Sequence, residues 1–158
     1  MINLISKLLV FSFSVIILTT GIRAEKQPVI LILGIESNEI NEIQDRIIRE
    51  EILRLYLQKN YKIVPIMKLT GFIEENHINL QTLNQTQIPQ ISHSLEADIA
   101  VFCRNSRKNE LQIFVYDRNK NKFFKKSIVI DSIEPLNKIT PILIDVIFRN
   151  SIQLVEEL

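Results

Sequence analysis

A chain of 158 residues, 46% hydrophobic and 23% charged, has the length of one domain and enough apolar residues to bury a core. Nineteen basic residues stand against 18 acidic ones, a formal charge of +1, too little to hold nucleic acid or an anionic membrane surface. The one cysteine, Cys103, cannot form an internal disulfide, and no cysteine near the N-terminus is available to carry a lipid.

Residues 1–24 read as a secretory signal peptide. Lys7 supplies a basic start, Leu8 to Ile22 is an uncharged apolar core, and Ala24 is a small residue at a cleavage point. That core is shorter than the roughly 18–20 residues needed to span a bilayer. An uncleaved leader anchored in the inner membrane is the alternative. Removing Lys7 and Arg23 leaves 17 basic against 18 acidic residues, a formal charge of −1. An exported domain without disulfides relies on its core, as is usual in a bacterial periplasm. The expected location is therefore periplasmic or secreted, and residues 25–158 are expected to form a single α/β domain.

Pro28 to Ile35 (PVILILGI) is a continuous apolar run bounded by proline and glycine, and predicts a buried strand. Asn41 followed by Gln44 is a capping-box pattern. Behind it, Ile40, Ile43, Ile47, Ile48, Ile52, Leu55 and Tyr56 recur at helical spacing. Glu42, Asp45, Arg46, Arg49, Glu50 and Arg54 are expected on the solvated face, with Glu50–Arg54 as a supporting ion pair. Tyr61 to Met67 predicts a second strand, which Pro65 pushes to a sheet edge or ends at Val64. A strand–helix–strand unit of this size implies a parallel pair with a right-handed crossover. Leu69 to Glu75 predicts a short helix, residues 76–87 a polar loop, and Ile88 to Leu95 another short helix.

The run from Leu95 to Arg104 is too apolar to face water on either side and predicts the central strand. Leu111 to Asp117 and Phe123 to Ile130 follow across polar turns and predict an antiparallel meander. Pro135 opens a last helix, with Leu136, Ile139, Leu143, Val146, Ile147 and Ile152 as its apolar stripe. The expected order is β-α-β-α-α-β-β-β-α: an α/β (mixed α+β) fold with a five-stranded mixed sheet and helices packed on it.

Two segments carry a resemblance. EEILRLYLQKNYKIVPIMKLTGFIEE and LEADIAVFCRNSRKNELQIFVYDRNKNKFF resemble, in order of elements and in the Ala97-Asp98 and Tyr116-Asp117 positions, the N-terminal α/β domain of TolB and the related domains of LpoB, FlgO and CsgG. Glu96 stands where those domains usually have glycine, Cys103 where glycine often ends the central strand, and Asn119-Lys120-Asn121 where a Thr-Gly turn is usual. Neither a β-propeller like TolB's nor long hairpins for a CsgG-like pore are expected here. The resemblance implies a non-enzymatic adaptor of the bacterial envelope that binds other envelope proteins.

The residues themselves offer no converging catalytic, cofactor-binding or metal-ligating set. His77 lies beside Glu74 and Glu75, and His93 and Glu96 share a helix face. Zinc needs three or four ligands, so surface histidines are the simpler reading. Ser92-His93-Ser94 lacks the glycines of a nucleophile elbow. Cys103, inside an apolar strand, reads as an inert buried thiol. Gly34-Ile35-Glu36-Ser37-Asn38-Glu39 has one glycine, and acids where a phosphate would sit. Asp98, Asp117 and Asp131 read as strand-end residues. Lys120, Lys122, Lys125 and Lys126 read as protection of an edge strand or as a contact patch for an acidic partner. Asn84-Gln85-Thr86 is a glycosylation sequon that matters only in a glycosylating host. An envelope enzyme, a small-ligand binder with a site at the strand-end loops, or a secreted factor are the alternatives. Strand addition along an open edge, or the 76–87 loop, is the expected mode of binding.

Overall fold

Five strands and four helices are seen in the computed structural model, which describes residues 27–107, 110–130 and 134–158. The expected leader, residues 1–24, and Asp131 lie outside the described residues.

Val29–Glu36 forms β1, as its unbroken run of branched and apolar side chains requires. Helix α1, Glu42–Gln58, starts at the anticipated capping box: Asn41 Oδ1 accepts from the Gln44 amide at 2.9 Å, and Gln44 Oε1 accepts from the Asn41 amide at 3.3 Å. Strand β2 is only Lys62–Ile63, parallel to β1 and at the sheet edge. Pro65 is the cap of helix α2, Ile66–Glu75, so the strand ends ahead of the proline, as the early end at Val64 anticipated, and Ile66 and Met67 are helical. The expected 76–87 loop is partly structured, with 3-10 turns at Leu80–Thr82 and Gln85–Gln87 and a buried Leu83 that packs against the sheet. Helix α3 is Ile88–Ser94.

Strand β3, Ile99–Arg107, begins four residues later than expected, because Leu95 to Asp98 make the turn out of α3. Strands β4, Glu110–Asp117, and β5, Lys122–Val129, complete the antiparallel meander. The last helix, α4, is Thr140–Glu156. Pro135 opens only a 3-10 turn, Leu136–Lys138, and Pro141 stands in the first turn of the true helix.

The sheet order is β2-β1-β3-β4-β5, with β3 in the middle as anticipated. Because side chains alternate across a strand, each strand feeds two layers. Ile30, Ile32, Val101, Ile113 and Val115 face α1 and α4, whereas Leu31, Leu33, Ala100, Phe102 and Phe114 face α2, α3 and the segment around Leu83. Full burial of each such large side chain stabilises the fold by roughly 1.5–3 kcal/mol. Tyr56 of α1 is fully buried, and its hydroxyl donates to Ser151 Oγ of α4 at 2.8 Å, so the pairing of the two helices leaves no orphaned phenol.

The phase of α1 differs from expectation. Its buried positions are Asp45, Ile48, Arg49, Ile52, Leu53 and Tyr56, a stripe at helical spacing that runs through two charged residues. Ile43 and Ile47 face outward, 64% and 45% exposed. The ion pairs on the outer face are Arg46–Glu50 and Glu51–Arg54 rather than Glu50–Arg54.

Candidate functional site

The first cluster of interest sits where β1 leaves the sheet. β1 bulges between Ile32 and Gly34 in its pairing with β3, and Gly34 adopts φ +101°. Asp45 Oδ1 accepts the Ile35 amide at 2.8 Å, so a carboxylate on α1 stands where a neighbouring strand would otherwise satisfy that amide. Asp45 Oδ2 lies 3.2 Å from a terminal nitrogen of Arg49, and both side chains are about nine-tenths buried. Burial pushes the Asp45 carboxyl above its ordinary range, while the Arg49 charge and the Ile35 amide hold it down in part. Arg49 Nε is buried with no hydrogen-bond partner among the described residues. Beside this pair, burial and then the Asp45 charge push the Cys103 thiol far up, so it stays a thiol.

A cleft of about 480 Å³ opens between α1 and α2, lined by Glu42, Ile43, Asp45, Arg49, Ile73 and Leu80. A second, of about 620 Å³, lies at the other end of the sheet and includes Lys59, Tyr61, Asp98, Asp117, Lys120 and Glu156. The acids of this second cleft are tied into the fold. Asp98 accepts the Val29 amide at 3.0 Å and pairs with Arg118 at 2.7 Å, which joins β1, β3 and the β4–β5 turn. Asp117 Oδ1 accepts the Asn119 and Lys120 amides, the side-chain turn chemistry anticipated for it. Burial, and behind it the Glu156 charge, raise the Tyr61 phenol.

The histidines do not converge. His77 is the left-handed residue after α2 (φ +52°) and Glu96 the one after α3 (φ +57°), and both are exposed. His93 is exposed on α3, and no group of three His, Cys, Asp or Glu placed to hold a metal ion occurs among the described residues. Ser92 is buried and its hydroxyl donates to the Ile88 carbonyl at 2.8 Å, a helix-internal bond. At the β1–α1 corner, Glu36 pairs with Arg104 at 2.6 Å and Glu39 accepts the Leu136 amide at 3.1 Å. The 84–87 stretch that carries the sequon forms its own capping box on a 3-10 turn.

The remaining candidate is the outer edge of β5. This eight-residue strand ends the sheet, whereas the opposite edge strand β2 has two residues. Lys122, Phe124, Lys126 and Ile128 point to the α4 face, while Phe123, Lys125, Ser127 and Val129 point to the other. Sequence reasoning found this lysine cluster. It missed the Asp45–Arg49 pair, whose signal was present: extending the Ile48, Ile52, Tyr56 stripe back by helical steps reaches 49 and 45.

No model of a known protein family matches the chain, and no curated protein matches it. Among solved structures it is similar to the lipoprotein GNA1162 from Neisseria meningitidis, with a TM-score of 0.50 and 10% identity, over 80% of this chain and 99% of that one. At that identity the likeness concerns the fold: the chain shares its α/β architecture with a bacterial lipoprotein.

Proposed function

We propose that this chain is an exported protein of the bacterial envelope that works by binding other proteins, without catalysis of its own. The observation that carries the proposal is β5, an eight-residue strand at the edge of the sheet with no further strand beyond it among the described residues, the kind of edge to which a partner strand can add. The leader-like residues 1–24, the fold shared with a Neisseria lipoprotein, and the TolB- and LpoB-like order of elements support the envelope assignment. Periplasmic residence after cleavage of the leader is the location proposed. The experiment is affinity capture of the tagged full chain from cross-linked envelopes of its own host, with fractionation of the same cells. A reproducible envelope partner, and recovery of the chain with the periplasm, are expected. Capture that returns no partner across replicates, or recovery only from the culture medium, overturns the proposal.

One observation favours a second reading, a small-ligand binder. The cleft between α1 and α2 includes Arg49, a buried cation whose Nε has no hydrogen-bond partner among the described residues. Thermal-shift screening against small carboxylates separates the two: a shift lost in Arg49→Lys selects the ligand reading.

A further inference from the structure

We infer that β5 docks an acidic, extended segment of a partner protein, which adds to the sheet antiparallel as a sixth strand. This rests on the protein-binding reading and names the chemistry of the partner.

The inference comes from how the lysines of β5 are held. Lys122 Nζ lies 5.3 Å from the centre of the Phe124 ring, and Lys125 Nζ lies 5.5 Å from that of Phe114. Lys126 Nζ donates to Gln153 Oε1 at 2.7 Å. Rings and an amide steady these three cations, and none forms an ion pair with a described residue. By contrast, the neighbouring Arg118, Lys120 and Arg104 each face a carboxylate. The strand has three lysines and no acid, on a domain whose overall charge is close to zero. Lys122 has Asp117 directly opposite it on β4, so the charge with no acid opposite it is that of Lys125 and Lys126, one on each face of the edge.

A second copy of this chain is a poor occupant. In a two-fold antiparallel pairing opposite residues share a face, so the two most overlapping registers set Lys125 opposite Lys125 or Lys126 opposite Lys126 of the other copy, and like charges directly opposite are unfavourable. A partner strand with acids at those positions converts the same contacts into favourable cross-strand pairs. It also covers Val129, which is 77% exposed, and the half-buried Phe123, Phe124 and Ile128. Read antiparallel from Val129 to Lys122, the complementary segment has the order apolar, apolar, polar, acidic, acidic, apolar, apolar, acidic.

The test uses the full chain purified from the envelope fraction and a fluorescent eight-residue peptide of that order, with a counterpart carrying lysine at the three acidic positions. The acidic peptide is expected to bind and the lysine peptide not to bind. Lys125→Glu with Lys126→Glu is expected to weaken the acidic peptide about tenfold or more. The same variant is expected to gain the lysine peptide, a swap that loss of folding cannot produce. Equal binding of both peptides, or of neither, overturns the inference. So does a double alanine variant that self-associates while peptide binding stays absent, because the lysines then only guard the edge. If the double glutamate variant captures the same envelope partners as the native chain, the acidic-strand inference fails and the protein-binding reading stands. If capture finds no partner although the acidic peptide binds with the charge swap, the protein-binding reading fails and the chemistry of the edge stands.

Discussion

Gly34 and Gly71 show how differently one residue type can be used. At Gly34 the backbone is at φ +101°, and an added Cβ would sit 2.5 and 2.8 Å from the two carboxylate oxygens of Asp45. Gly34→Ala therefore strains the backbone and displaces a buried carboxylate from its amide and its arginine, at an expected cost of about 2–4 kcal/mol. Gly71 lies inside α2 with nothing within 4 Å of its would-be Cβ, so Gly71→Ala is expected to gain about 0.5–1 kcal/mol. Urea denaturation of the two variants checks both, and the same sign for the pair would contradict this account. The Asp45 carboxyl, raised above its ordinary value of 3.8 by burial, binds its proton more tightly in the folded state. Its contribution to stability is thus greatest below 3.8 and is lost as pH rises through the folded value. The unfolding free energy of the native chain minus that of Asp45→Asn should fall as pH rises from about 3 through the mildly acidic range. A difference that rises instead would mean that Arg49 and the Ile35 amide outweigh burial. Legibility at this scale was uneven: the sequence pointed to an inert Cys103, while the role of Asp45 stayed hidden because an acid on an amphipathic helix is ordinarily solvated.

The ends of α1, α2 and α3 share one device. After the cap residue, Asn60, His77 and Glu96 each take a left-handed conformation (φ +63°, +52° and +57°). The amide after each reaches back to Tyr56, Ile73 and Ser92 at 2.9–3.1 Å, and the amides of the three themselves reach Leu57, Glu74 and His93. Glycine ordinarily holds that position, and this chain has only three glycines in 158 residues. Asn121 (φ +48°) does the same in the β4–β5 turn. Two of the three places where the sequence departs from a glycine-bearing pattern, Glu96 and Asn121 of the 119–121 turn, are therefore backbone positions that glycine would relax, whereas Cys103 is not among the left-handed residues. Glu96→Gly should stabilise the protein by about 0.5–1 kcal/mol, since the side chain it removes is 84% exposed and its 3.8 Å contact with Lys68 contributes little. A loss of stability in thermal or urea unfolding would show that the Lys68 contact matters more than the backbone. Element order was legible in apolar runs and caps, as at Asn41-Gln44, because those signals are local. Boundaries near Pro65 and Pro135 were not, because a proline can end one element, open a 3-10 turn or open a helix, and tertiary packing decides which. The phase of α1 was blurred by isoleucines on two sides of the helix, of which the sheet buries only one set.

At the scale of the molecule, protection should follow the order of strands. Over Ile99–Arg104, β3 has a hydrogen-bonded strand on each side, and its two faces feed the two core layers, so the paired amides of this stretch are expected to exchange only when the whole fold opens. Among the described residues β5 has a strand on one side only. In an antiparallel edge strand, amides that point inward to β4 alternate with amides that point out to water. Native-state hydrogen exchange should therefore give β3 the slowest class and show a period of two along Lys122–Val129, with every second amide exchanging at rates close to those of an open chain. Addition of an acidic strand should slow the fast set and leave the slow set unchanged. Uniform slow exchange along all eight residues of β5 in the isolated protein would mean that its outer edge is already covered, and the free edge on which the proposed binding depends would not exist.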